Sequence, residues 1–281
     1  MQPTSDNEGD RMRNKLFDTI AKSWKSFISH KKLLPLVVLI DVLFLYGMTR
    51  LHYEAFSKAS TYAIQLTAMI SQQMQTLGAE AAPQLAIMES PEFINAYHQL
   101  LKYIAIFFIG AFVVWLVGKG LVWLFAHKSI EKKLDLKAYA LKFTGITVFW
   151  FIAFALLTVV MLNLLDYALF GVFPLIDKTA TNIIAILCYW LLGYFVFISY
   201  SLVPHRVFKP TFALGVKRWK ELLPVHIIGS LIFFVATTVP VSLVKIDISV
   251  SLAFVVLIAL PMIAWQRVFW TTAVHRVMKH A

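Results

Sequence analysis

Residues 31–50 read KKLLPLVVLIDVLFLYGMTR: two lysines, an apolar run from Leu33 to Thr49 broken by one charge, Asp41, and then Arg50. A helix of that length spans roughly 25 Å, close to the ~30 Å hydrocarbon layer of a bilayer. Five more runs of this kind follow, at Tyr103–Ala126, Phe143–Leu165, Thr181–Val203, Val225–Val244 and Val250–Thr272. The chain of 281 residues is 59% hydrophobic and 15% charged. A soluble protein carries about 25% charged residues and interrupts its apolar runs, so lipid is the solvent here.

Orientation follows from where the cations fall. The segment before Leu33 holds Arg11, Arg13, Lys15, Lys22, Lys25, Lys31 and Lys32, whereas the next gap has only Arg50, Lys58 and Lys102. Basic residues return at Lys128, Lys132, Lys133, Lys137 and Lys142, leave only Lys178 in the following gap, and return again at Arg206, Lys209, Lys217, Arg218 and Lys220. Lys245 stands alone in the last turn, and Arg276 and Lys279 close the chain. Nineteen therefore lie on one side and five on the other, which predicts that both termini face the cytoplasm of a prokaryotic-type cell, in its plasma membrane. The net charge of +11 sits beside spans, where it faces anionic lipid; no nucleic-acid recognition motif accompanies it. The first thirty residues lack the pattern of a cleavable signal peptide, so the first apolar run is expected to stay as a span. Cys188 is the single cysteine, and an intrachain disulfide is excluded.

Residues 1–32 form a first region, a polar tail to about Arg13 followed by a basic helix. Leu16, Phe17, Ile20, Trp24, Phe27 and Ile28 recur at helical spacing opposite Lys15, Asp18, Lys22 and Lys25. That pattern predicts an amphipathic helix on the membrane surface, with Trp24 as an interfacial anchor. Residues 33–281 form the six-span domain. Within it, 50–102 is expected to protrude outside as a helical hairpin. Phe56, Leu66 and Met74 lie on its apolar stripe, and Gly78 ends its first helix. After a loop with Pro83, Ser90-Pro91-Glu92 supplies an N-cap, a proline at the first helical position and an acid in the first turn. The stripe either pairs within the hairpin or docks a partner.

Phe17-x4-Lys22-x-Trp24-Lys25 recurs as Phe212-x4-Lys217-x-Trp219-Lys220, and each copy precedes Leu-Leu-Pro, at Leu33 and at Leu222. Trp219 becomes the second interfacial anchor. The repeat suggests three units, each a basic interfacial helix feeding a two-span hairpin. Through Phe212-Ala213-Leu214-Gly215-Val216-Lys217-Arg218-Trp219, leading into the fifth span, the chain resembles six-helix membrane families. These include the membrane domain attached to some glycerophosphodiester phosphodiesterases, and related uncharacterised prokaryotic proteins. The resemblance implies a topology and carries no chemistry; the long outer hairpin departs from it.

Ionisable groups inside spans cost about 2.5–3.5 kcal/mol each on insertion scales and are therefore candidates for function. Asp41 and Lys119 both fall roughly 10–12 Å deep from the cytoplasmic end of their spans. They are expected to pair; Arg267, with Gln266, is an alternative partner or snorkels to headgroups. His226 lies near the inner end of the fifth span, and Pro240 and Pro261 interrupt the fifth and sixth. Asn163, Asp166 and Asn182 sit at outer ends. No HExxH, G-x-S-x-G or phosphate-binding glycine loop is present, so no enzyme is expected, and no metal or cofactor is called from spacing. His52, Glu54, Glu92 and His98 carry no ligand signature.

Two readings result. One is a non-enzymatic membrane protein acting through membrane lipids and a protein partner or second copy, as scaffold, assembly factor or complex subunit. The other is a small-solute or ion permease using the polar layer of Asp41, Lys119, Arg267 and Gln266.

Overall fold

In the computed structural model the chain is described over residues 5–77, 90–131, 134–169, 178–205 and 207–279. All regular structure among these residues is helical: α1 (Ser5–Ser29), α2 (Leu34–Leu51), α3 (Ser57–Leu77), α4 (Pro91–Lys128), α5 (Leu136–Leu169), α6 (Lys178–Ser201), α7 (Phe208–Lys217), α8 (Trp219–Val244), α9 (Ile248–Phe254) and α10 (Leu260–Lys279). Six stretches are long and apolar enough to cross a membrane: Lys31–Gln72, Pro91–Lys128, Leu136–Met161, Thr179–Ser201, Trp219–Val244 and Ile248–Lys279. They overlap the six apolar runs read from sequence, the third stopping at Met161 and the fourth at Ser201, and are compatible with a multi-pass membrane protein.

The first of these stretches is 42 residues, about 60 Å as helix and twice the hydrocarbon thickness. It stays helical because one π turn, His52–Phe56, links α2 to α3 without a break. The expected end at Gly78 and the loop with Pro83 lie outside the described residues. At the start of α4, Ser90 Oγ accepts the amide of Phe93 at 3.2 Å, and Pro91 is the first helical residue, as the N-cap reading required.

Two compact units divide the chain: Val42–Gly118, and the remainder on either side of it, ending at Asp41 and resuming at Lys119. In the Val42–Gly118 unit, α2 and α4 meet through glycines. A Cβ on Gly118 would lie 2.9 Å from Phe44, one on Gly110 2.5 Å from Leu51, and one on Gly47 3.3 Å from Val114. Small residues at such contacts let helix backbones approach closely where no water drives them together. Farther along, Phe56 packs on Phe107 and Tyr62 stacks on Tyr103, with Lys58 over the same ring.

In the other unit α10 is the central element. It packs against α1, α6 and α8, while α5 pairs with α6 and α9 with α8. Phe269 and Trp270 of α10 are fully buried. Polar side chains join the helices at fixed points: Trp150 Nε1 donates to Ser199 Oγ at 2.7 Å, and Trp190 Nε1 to Ser230 Oγ at 2.9 Å. Tyr139 Oη donates to the Gly120 carbonyl, and Tyr194 Oη to that of Gly215. The two prolines are absorbed differently. Pro261 sits at the start of α10, directly after the π turn Val255–Ala259, whose wider winding accommodates its missing N–H. Pro240 stays inside α8, and its carbonyl accepts Ser251 Oγ of α9 at 2.9 Å.

Three expectations change. α1 begins at Ser5, so the polar segment before Arg13 is helical from that residue. The face of α1 turned inward is Thr19, Ser23 and Phe27, one residue per turn, while Phe17, Trp24 and Ile28 stay exposed. The two copies of the Phe/Lys/Trp repeat differ as well. The first lies within unbroken α1, whereas the second is cut at Arg218, where α7 ends and α8 begins.

Candidate functional site

Asp41 of α2, Lys119 of α4 and Arg267 of α10 converge. Arg267 Nη1 donates to Asp41 Oδ2 at 2.8 Å and Nη2 to Oδ1 at 3.0 Å, a two-pronged pair. Lys119 Nζ approaches Oδ1 at 3.4 Å. Asp41 is 2% exposed and Arg267 5%. The pairing of Asp41 with Lys119 is as the depth arithmetic expected, but the primary partner is Arg267. A guanidinium matches both carboxylate oxygens and is more weakly hydrated than an ammonium, so it gives up water more readily. Because it is buried on Asp41, Arg267 does not snorkel to the surface.

Gln266 is buried beside it in sequence, yet its amide abuts α8, where a Cβ on Gly229 would lie 2.7 Å from Nε2. The polar layer thus divides into an ion triad and a separate α8–α10 contact. His226 of α8 is buried among Trp190, Tyr194, Phe197 and Trp270. Its Nε2 lies 3.0 Å from the Trp190 carbonyl, which can only accept, so the proton is on Nε2.

On the partner-docking stripe, Leu66 is buried at 7% exposure and so presents no free face. Phe56 is half exposed, and the side chain of Met74 lies outside the described residues, as do those of Asn163 and Asp166. Asn182 is exposed. Both anchor tryptophans, Trp24 and Trp219, are about half exposed. The inner edge of Trp24 packs at 5.7 Å on Trp265, whose Nε1 donates to Ser23 Oγ.

A cavity of about 250 Å³ opens where α1 lies beside α8 and α10. Leu16, Pro224, Val225, Ala273 and Val277 are its apolar lining; its charged lining among the described residues is Arg13, Lys15, Lys220 and Arg276 with one carboxylate, Glu221, while Asp18 lies 3.5 Å from Arg276. Lys15 lies 3.7 Å from Glu221. Arg276 donates to Thr19 Oγ1 at 2.7 Å and to the Lys15 carbonyl, which ties α10 to α1. Hydropathy patterning did not reveal this cavity, because its cations come from three helices far apart in the chain.

A metal-type donor set also forms where none was called: Glu131, His205 and His275, whose ligand atoms lie within 4.8 Å of one another. Comparisons with protein-family models, characterised proteins and solved structures return no match to this chain.

Proposed function

We propose that the chain is a non-enzymatic, multi-pass membrane protein that works through partners, and that the partner held at its basic face is an anionic phospholipid. The observation that carries this is the cavity between α1, α8 and α10, whose described lining combines apolar side chains suited to acyl carbons with four cations and one carboxylate. Each basic residue near a membrane surface attracts anionic lipid by about 1 kcal/mol. Half-exposed Trp24 and Trp219, each beside lysines, suit the headgroup level.

The segregation of Lys and Arg supports placing this face, with both termini, on the cytoplasmic side of a prokaryotic-type plasma membrane. Three two-span hairpins would then follow, with the α2–α3 helix extending outside. A lipid-anchored scaffold, assembly factor or complex subunit uses such a surface to fix its place beside protein partners or a second copy.

The test is lipid retention by the intact protein in detergent, offered phosphatidylglycerol and phosphatidylcholine in equal amounts. Arg13→Glu with Lys220→Glu should lower phosphatidylglycerol retention by roughly tenfold or more. These two rim positions are chosen because Lys15 and Arg276 also hold α1 in place. Equal retention of the two lipids by the native protein contradicts the proposal.

The second reading, a small-solute or ion permease, is favoured by the buried ions of Asp41, Lys119 and Arg267 within spanning helices. It requires Lys119→Met, the triad change that costs least in stability, to abolish solute flux into vesicles with native helicity retained.

A further inference from the structure

Glu131 lies in the turn after α4, His205 in the turn after α6, and His275 on α10. His275 Nε2 is 2.7 Å from Glu131 Oε1, His205 Nε2 is 3.2 Å from His275 Nε2, and His205 Nε2 is 3.4 Å from Glu131 Oε1. Four ligands placed tetrahedrally at ~2.0–2.1 Å from a zinc ion stand about 3.3 Å apart. Two of the three edges of this triangle match that spacing closely, and the third is shorter by about half an ångström.

The orientation of the His275 ring also suits a metal. His275 Nδ1 lies 2.8 Å from the Thr271 carbonyl, which can only accept, so Nδ1 donates there and Nε2 is the ring nitrogen turned to Glu131 and His205. A ligand histidine whose other nitrogen donates to a backbone carbonyl is the usual outer-shell arrangement at metal sites. Without a metal the 2.7 Å contact of Nε2 with Glu131 Oε1 needs a shared proton, which a bound cation would displace.

The backbone holds the other two donors. The Glu131 amide donates to the His127 carbonyl, and the His205 amide to that of Leu202, both at 2.8 Å. Lys142 Nζ caps the carbonyls of Pro204 and His205 at 3.1 Å each. His275 lines a cleft of about 340 Å³ with Asp18 and Lys22, and Glu131 lines another of about 520 Å³ with His30.

We propose that Glu131 Oε1, His205 Nε2 and His275 Nε2 form a three-ligand site for a divalent transition metal of the zinc class, with the fourth coordination position open to solvent or a small ligand. Two histidines and a carboxylate suit zinc and its first-row neighbours over magnesium or calcium, which prefer all-oxygen ligands. The site is independent of the lipid cavity and stands or falls separately from it.

The experiment uses the untagged full-length protein in detergent, stripped with chelator and then titrated with Zn²⁺ in a competing-chelator buffer. Metal content is read by elemental mass spectrometry, and helicity by circular dichroism. One zinc per chain is expected, with affinity at least about tenfold weaker in His205→Ala and in Glu131→Gln, both with unchanged helicity. X-ray absorption should show nitrogen and oxygen ligands at about 2.0–2.1 Å. Should His275→Ala fail to fold, His205→Ala decides, since His205 is exposed at a helix end. Less than stoichiometric zinc in the native protein overturns the proposal, because Glu131 and His275 then share only a proton. So does undiminished affinity in His205→Ala.

Discussion

Arg267 of α10 holds Asp41 of α2 through both carboxylate oxygens, at 2.8 and 3.0 Å, across more than two hundred residues of sequence. Removing one partner of a buried pair leaves the other charge uncompensated, at a cost of about 3–5 kcal/mol. Asp41→Ala and Arg267→Met should each lower the midpoint of thermal unfolding in detergent strongly. The triple variant Asp41→Leu, Lys119→Met and Arg267→Met should recover most of that loss, since Lys119 would otherwise be left without its carboxylate. Lys119→Met should cost less, because its contact is longer at 3.4 Å and its side chain less deeply buried. Arg267→Lys should not substitute, since an ammonium cannot meet both oxygens at once.

Two glycines in spanning helices should respond to alanine with opposite signs. On Gly118 a Cβ would lie 2.9 Å from Phe44 Cδ2 and 3.2 Å from its Cβ, which cannot swing away. Gly118→Ala should therefore destabilise by about 1–3 kcal/mol. On Gly145 of α5 a Cβ meets nothing within 4 Å, so Gly145→Ala should stabilise by up to about 1 kcal/mol through helix propensity alone. Parallel unfolding midpoints check both.

Trp150 is buried, and its indole N–H depends on Ser199 Oγ at 2.7 Å. Ser199→Ala should leave that donor unsatisfied and cost about 1–3 kcal/mol, whereas Ser199→Thr should retain most of the stability. A blue-shifted, broadened tryptophan emission in the alanine variant would accompany the loss.

Asp247 caps α9, accepting the amides of Ser249 at 2.5 Å and Val250 at 3.2 Å. Those amide hydrogen bonds favour the ionised form and hold its pKa below the ordinary aspartate value. A lowered folded-state pKa means that the cap is fully present above about pH 4 and is lost as the pH falls through the lowered value. Amide-exchange protection at Ser249 and Val250 should be level from about pH 5 to 8 once intrinsic rates are removed, and should fall under acid. In Asp247→Asn that acid-dependent loss should disappear.

Continuous hydropathy made the spanning helices legible, and Ser90-Pro91-Glu92 marked the start of α4 correctly. Depth arithmetic brought Asp41 to Lys119, because residue count along a helix converts directly into height. It left Arg267 open between Asp41 and the headgroups, and the side chain lies on Asp41; reach and pairing geometry are not encoded in span position. The α1 contact face was hidden for a different reason. Thr19 and Ser23 are small and polar, so of the face that α1 buries an apolar stripe picks out only Phe27. Glu131, His205 and His275 come from a turn, another turn and a helix, with no short spacing to announce them. Only the folding of three distant segments places them together.

Native mass spectrometry of the intact protein, extracted gently from its own membranes, tests the proposed function most directly. The lipid reading predicts one anionic phospholipid retained per chain, lost when Arg13 and Lys220 are both changed to glutamate. A native protein that emerges free of anionic lipid, or that keeps it undiminished in the double variant, would contradict it.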